Sequence, residues 1–337
     1  MSFSISYLVN DEALKNKIEG FLQDWRNPSL FIETATSGST GEPKIIKVTK
    51  KQMIASALMT GEFLTIKKGE NALLNLSVDT IAGKMMIVRA IVLELNLFVI
   101  SLSKNPFDST INIPSIDFIA LVPYQVNEIL NQHSDKLKNI KSIIIGGAES
   151  SEKLINILKV KGIQAYQTFG MTETISHIAM RKIGLTTEEH YSTLPNIYLS
   201  INSDQQLIIN APKLYIDNLI TNDIVELISE NSFIWKGRAD YIINSGGVKI
   251  HPEKIEQILS RYIEVPFFIS SVKDDLLGEK IILLIESSNK LKLDFTEIFI
   301  GVSNYFKPKE TIYLNEFSRT ISGKINRIQT LKKYKIA

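Results

Sequence analysis

Residues 36–44 read Thr36-Ser37-Gly38-Ser39-Thr40-Gly41-Glu42-Pro43-Lys44, and no other stretch constrains the chain as strongly. Hydroxyl side chains alternate with glycines free to adopt positive φ, so backbone N–H groups and hydroxyls can converge on one anion. Lys44 adds a mobile positive charge at the exit. A Walker-type loop needs its Lys-Ser/Thr pair directly after the second glycine, opening a helix. Here Glu42 and Pro43 intervene, and Ile45-Ile46-Lys47-Val48 continues as a β-like run. The stretch reads as a polyphosphate loop; taken alone, its composition also describes a surface turn.

The rest of the chain alternates between two periods. Leu14, Ile18, Phe21, Leu22 and Trp25 mark one face of a helix over 11–26, and Thr49 is placed to cap the next helix. Strand-like runs follow at 72–76, 97–100, 118–122 and 142–145, separated by helical segments at 85–95 and 124–133, with a further helix over 151–161. This alternation predicts an α/β domain with buried parallel strands. Around 196–231 the pattern shifts to short strands and turns, and Lys236–Asp240 has the composition of a hinge. Beyond it, helices over 252–261 and 295–306, strands at 267–272 and 280–285, and a basic, turn-rich end predict a second unit. The expected fold class is therefore α/β: a large N-terminal α/β domain (1–239) with mostly buried sheets, plus a small mobile C-terminal α+β domain (240–337).

Composition removes several function classes. A net charge of +2 over 337 residues is too small to argue for nucleic acid or a membrane surface. With no cysteine there is no disulfide framework or thiolate chemistry, so any thiol in the reaction must come from a substrate. His133, His177, His190 and His251 show no ligand spacing. No signal peptide or membrane span is read, and a cytoplasmic protein, monomeric or homodimeric, is expected.

The loop matches, over all nine positions, the TSG[ST]TGxPK phosphate loop of the adenylate-forming superfamily, and the chain resembles that family of acyl-CoA synthetases, luciferases and peptide-synthetase adenylation domains. The resemblance implies that Thr36, Ser37, Gly38, Ser39, Thr40, Gly41 and Lys44 hold ATP phosphates. Gln167–Thr174 resembles the family's YGxTE segment. There Phe169 would stack on adenine beside Gly170, Thr172 would bond a phosphate oxygen, and Glu173 would be a Mg²⁺ ligand. Gly146-Gly147-Ala148, at a strand's end, would form the wall between adenine and acyl pockets. Asp223 stands in the place of the ribose-binding aspartate, with Asn222 departing from the usual glycine. Arg238 lies near it, and Asp240 is the implied hinge. Gly246, Gly247 and Lys249 resemble the segment that admits the pantetheine arm of CoA. Arg319–Arg327 resembles the final motif, with Ser318 for its proline and Lys324 as catalytic lysine.

The acid pocket carries the finest distinction. Residues 77–89 resemble the segment lining that pocket, with Thr80 where histidine is common, then Gly83. Arg89 lies in the apolar run Met85–Val92, where an unpaired guanidinium is expensive to bury. On a helix it shares a face with Met85 and Val92. Two partners are open: an ion pair with Asp79 or Glu94, or a second carboxylate on the substrate, bound bidentately. Within the family, ligases for o-succinylbenzoate in menaquinone biosynthesis carry an arginine six residues after that glycine. The resemblance thus implies an AMP-forming ligase using ATP, Mg²⁺, CoA and a small carboxylic acid. A ligase for another aryl or fatty acid, a carrier-loading adenylation module and a non-enzymatic nucleotide-binding paralogue stay open. Most relatives carry a far longer segment before the loop than the 35 residues here, so part of the usual acyl-pocket wall and dimer surface is not expected to carry over.

Overall fold

The apolar runs dictate the centre of the molecule. In the computed structural model, which describes residues 3–35, 45–108, 111–319 and 325–336, they pair into one mixed sheet of 12 strands. Six neighbours run parallel in the spatial order Ser4–Tyr7, Asn96–Val99, Asn71–Leu74, Phe118–Leu121, Ser142–Ile145, Gln164–Gly170. From there the sheet turns antiparallel through His177–Gly184, Tyr191–Thr193, Ser232–Arg238, Ile216–Ser229, Gln206–Ala211 and Tyr198–Ile201. Buried parallel strands thus describe half the sheet, because tight reversals replace crossover helices after Gly170.

Side chains alternate between the two faces of the strands, and two cores result. Leu74, Phe118, Ala120 and Ile144 pack with helices Glu12–Arg26, Lys50–Leu64 and Ile81–Val92 on one face. Leu73, Ile119, Leu121, Ile143 and Ile145 pack with Pro123–Gln132 and Glu152–Lys161 on the other. The second unit has its own cores, drawn wholly from residues beyond 242. Its five-stranded sheet runs Val248–Ile250, Ile243–Ser245, Gly278–Glu286, Phe267–Asp274, with Glu310–Leu314 parallel to Gly278–Glu286. Among the described residues no helix is long and apolar enough to cross a membrane.

Strands Phe31–Ala35 and Ile45–Thr49 pair antiparallel, so the 36–44 stretch connects the arms of a hairpin; that stretch and Lys324 lie outside the described residues. Thr49 caps Lys50–Leu64, as expected, and Gln52 returns the bond by accepting from Thr49 N–H. Ser4–Tyr7, for which the sequence pattern predicts no element, is a strand on the sheet's edge. Two expectations need correction. The helix expected over 295–306 stops after Phe295–Ile298, since Gly301 takes φ +75°, and resumes only as a 3₁₀ turn, Asn304–Phe306. The basic end forms a helix, Arg327–Tyr334, capped by Asn326 onto Gln329 N–H.

Candidate active site

Arg89 is the largest side chain fully enclosed in the core, at 2% exposure. Its helix starts at a cap that explains two other expected pocket residues. Thr80 Oγ1 donates to the Ser77 carbonyl (2.7 Å) and accepts from Gly83 N–H (3.4 Å). A Cβ on Gly83 would lie 2.2 Å from that same carbonyl, so the glycine lets the 77–80 turn fold onto the helix. From this start the last turn carries Arg89 inward. Arg89 Nη2 donates to Ser176 Oγ (2.8 Å) and Nε to Thr60 Oγ1 at a long 3.4 Å. Neither proposed intramolecular partner reaches it: Asp79 pairs with Lys17 and Glu94 with Lys68. No carboxylate of the described residues forms an ion pair with Arg89, and burial alone pulls its pKa down to about 9.

One of the two residues that meet Arg89, Ser176, follows closely on the turn that carries Thr172 and Glu173. Thr172–Thr174 is a single 3₁₀ turn, and the next residue, Ile175, sits at φ +67°, ψ −44°. Ser176 N–H closes a γ-turn onto the Thr174 carbonyl at 2.7 Å. A β-branched residue in that region stores on the order of 1–3 kcal/mol of strain. Two features hold it there. Thr174 Oγ1 accepts from Met171 N–H (2.9 Å), and Gly170 lies so close to the returning chain that a Cβ would sit 2.3 Å from the Ser176 carbonyl. The turn thereby leaves Glu173 exposed and Thr172 half-buried, while Ser176 reaches Arg89 and His177 lies against Ser176. Phe169, half-buried, packs edge-on to Phe233 at 5.0 Å and 5.8 Å from Tyr191.

A second group gathers where the antiparallel half of the sheet ends. Asp223 and Arg238 face each other on paired strands. Asp223 accepts from Trp235 Nε1 (2.8 Å), and burial raises its carboxyl despite that bond. Arg238 grips Asp240 through Nε and Nη2, both at 2.9 Å, so the expected hinge residue is tied back to the strand it follows. Gly146-Gly147-Ala148 ends strand Ser142–Ile145, with Gly147 at φ +85° and the Ala148 carbonyl accepting from Gln167 Nε2. A Cβ on Gly146 would touch Thr168 Oγ1 at 2.6 Å. Gly246 and Gly247, both at positive φ, form a two-residue hairpin turn in the small sheet, with Lys249 exposed opposite Asn244.

The structure thus joins Arg89 to the Thr172–Glu173 turn, and Asp223 to Arg238 and Asp240. Thr60, Ser176 and His177 were missed in the sequence. The signal available was a Ser-His pair directly after the Thr-Glu motif, but its importance depends on contacts far apart in the chain. Among the described residues no group of three His, Cys, Asp or Glu side chains could hold a metal ion, so Glu173 offers a single carboxylate.

Residues 28–210 match the family described as AMP-binding enzyme. A 2-succinylbenzoate–CoA ligase of Listeria monocytogenes is 23% identical over 320 residues, covering 87% of this chain and 68% of that one. One from Lactococcus lactis is 25% identical over 328 residues, covering 90% and 71%. Among solved structures, an acyl-CoA synthetase (AMP-forming)/AMP-acid ligase II-like protein from Dyadobacter fermentans is 34% identical with a TM-score of 0.64. That alignment covers 95% of this chain and 94% of the other, so the short length has a counterpart. The O-succinylbenzoate coenzyme A synthetase from Bacillus subtilis, in complex with ATP and magnesium ion, shares the fold at a TM-score of 0.78 and 21% identity, covering 88% and 69%.

Proposed function

This chain belongs to the AMP-binding enzyme family as an AMP-forming acid–CoA ligase, and on that premise we propose o-succinylbenzoate as its acid. One observation carries the choice: Arg89 is buried, charged at neutral pH and without a carboxylate partner among the described residues. A dicarboxylic aromatic acid supplies what is lacking. One carboxylate anchors on the guanidinium and the other is activated.

In the first half-reaction the free carboxylate oxygen attacks the α-phosphorus of ATP, and the bond to the bridging oxygen breaks, giving acyl-adenylate and pyrophosphate. Residues 36–44 and Thr172 hold the phosphates, and Lys324 offsets charge between carboxylate and nucleotide. Phe169 with Gly170 receives the adenine beside Gly146, Gly147 and Ala148, and Asp223 the ribose hydroxyls, with Arg238 near. Thr80 and Gly83 shape the turn before the helix that brings Arg89 to the acid. Glu173 suits Mg²⁺, being exposed and without an ion-pair partner among the described residues; Mg²⁺ takes one or two carboxylates and fills its shell with phosphate oxygens and water. When bound, the ion offsets negative charge on the phosphates. Separate cores on either side of residues 239–240 support reading 240–337 as a lid that turns at Asp240. The turn withdraws Lys324 and brings Gly246, Gly247 and Lys249 to the CoA thiol, which attacks the activated carbonyl and expels AMP.

ATP–pyrophosphate exchange against a panel of carboxylates tests the acid. Arg89→Ala is expected to raise KM for o-succinylbenzoate by ~10–1000-fold, with a monocarboxylic analogue used poorly and losing little more. Equal losses for both acids would overturn the assignment. Lys324→Ala is expected to slow adenylate formation about a hundredfold and spare CoA transfer from supplied acyl-adenylate.

A further inference from the structure

The hydrogen bonds around Arg89 fix which ring nitrogen of His177 carries a hydrogen. Thr60 Oγ1 lies 2.9 Å from the Ser56 carbonyl, which can only accept, so the one hydroxyl proton of Thr60 points there. Its oxygen then has only lone pairs for His177 Nε2 at 3.0 Å, so Nε2 carries a hydrogen. Ser176 Oγ accepts from Arg89 Nη2, which leaves its own proton free for His177 Nδ1 at 3.4 Å. One neutral imidazole, protonated on Nε2, satisfies every group. A second proton on Nδ1 would turn the Ser176 hydroxyl hydrogen away and set a cation beside a guanidinium that no carboxylate of the described residues balances.

The choice of partners has a consequence for binding. Thr60 and Ser176 occupy the Nε/Nη2 edge of the guanidinium, the edge that Arg238 gives to Asp240. A carboxylate there would orient Arg89 but also cancel its charge. Hydroxyls orient it and leave the charge for a ligand. His177, buried between them, braces both hydroxyls, and burial first and Arg89 second hold its basicity well below the usual histidine range.

We propose that Ser176, His177 and Thr60 are positioning residues that present Arg89 to the acid's second carboxylate, with His177 working as the neutral Nε2–H tautomer. The inference rests on the o-succinylbenzoate reading of Arg89. It also ties acid recognition to the nucleotide segment, because Ser176 and His177 follow the Thr172–Glu173 turn through the strained Ile175.

The test uses the full chain in ATP–pyrophosphate exchange with o-succinylbenzoate and a monocarboxylic analogue. Ser176→Ala and His177→Phe should each raise KM for the diacid about tenfold, with kcat and the monocarboxylic acid nearly unmoved. His177→Gln, whose amide can donate from the Nε2 position, should return KM to within about threefold of wild type. Ring-nitrogen NMR, assigned by loss of the signal in His177→Gln, should show a neutral Nε2–H imidazole at pH 7. If Ser176→Ala leaves the diacid KM unchanged while Arg89→Ala raises it, positioning is overturned and the substrate reading stands. If Arg89→Ala also leaves it unchanged, both fall. An Nδ1–H tautomer or an imidazolium overturns the role of His177, and should His177→Phe not fold, Ser176→Ala and the NMR signal still decide.

Discussion

Two arginines, Arg89 fully enclosed beneath the large sheet and Arg327 largely covered in the small unit, are treated in opposite ways. Arg327, in the small unit, donates to Glu256 at 2.9 Å and lies over the Tyr241 ring at 4.7 Å and Phe268 at 5.5 Å. Burial acts to lower its pKa, yet Glu256 and Glu253 outweigh it and raise the value. Arg89, beneath the large sheet, has two hydroxyls and a neutral histidine nearby and is pulled down to about 9. The first charge is consumed by the fold. The second is oriented and left over, the expected signature of a group kept for a ligand.

Unfolding in urea separates the two roles. Arg327→Met leaves the largely covered Glu256 uncompensated and should cost about 2 kcal/mol, less than the loss of one member of a fully buried pair. Arg89→Met removes a charge that has no counter-charge and inserts an apolar chain of similar reach. Its stability should match or exceed wild type while diacid use collapses. Comparable destabilisation by both would end the contrast, making Arg89 another structural arginine.

Glu253 sharpens the comparison from the other sign, as a carboxylate without a matched cation. Its Oε1 accepts from Arg238 N–H at 3.2 Å, joining the small unit's first helix to the large sheet. Its Oε2 and His251 Nδ1 are buried without a hydrogen-bond partner among the described residues. Gly237 makes room, since a Cβ there would lie 2.4 Å from Oε2. Burial pushes the Glu253 carboxyl from 4.5 up to about 7. The unfolded chain therefore loses this proton at lower pH than the folded one, and stability falls as pH rises from about 4.5 to about 7, then levels. Glu253→Gln should flatten that slope and gain about 3 kcal/mol over wild type at pH 8, with little difference at pH 4. Parallel pH profiles for the two proteins would show that Glu253 ionises normally.

How much of this could be read beforehand depended on how local each cause was. Thr49 with Gln52, the apolar runs at 118–122 and 142–145 and the suspicious charge at Arg89 all signal within a few residues. Ser4–Tyr7 carries too weak a pattern for a strand and gains its place only by pairing with Asn96–Val99. The helix past Ile298 failed because one glycine takes a left-handed conformation that apolar spacing does not register. The basic residues of Arg327–Tyr334 hid a capped helix whose Leu331 packs against the small core. In the site, the segments carrying Arg89 and Glu173 were legible one by one. Their connection through Ser176, His177 and Thr60 spans residues 60 to 177 and needed the fold.

The smallest expected effect concerns the hairpin at Gly246-Gly247. Gly83 and Gly170, in the large unit, are demanded by backbone pressed against them, whereas a Cβ on Gly247 would meet no heavy atom within 4 Å. Only its φ of +78° opposes substitution. Gly247→Ala should therefore cost about 1 kcal/mol, the strain of a left-handed alanine, and leave both half-reactions running. Gly247→Leu carries similar strain but fills the open space. If that space admits the pantetheine arm, the leucine variant should keep pyrophosphate exchange and lose acyl-CoA formation, where the alanine variant keeps both. Acyl-CoA formation at the wild-type rate by Gly247→Leu would show that the space is only a solvent-facing turn, and would remove residues 244–250 from the proposed path of CoA.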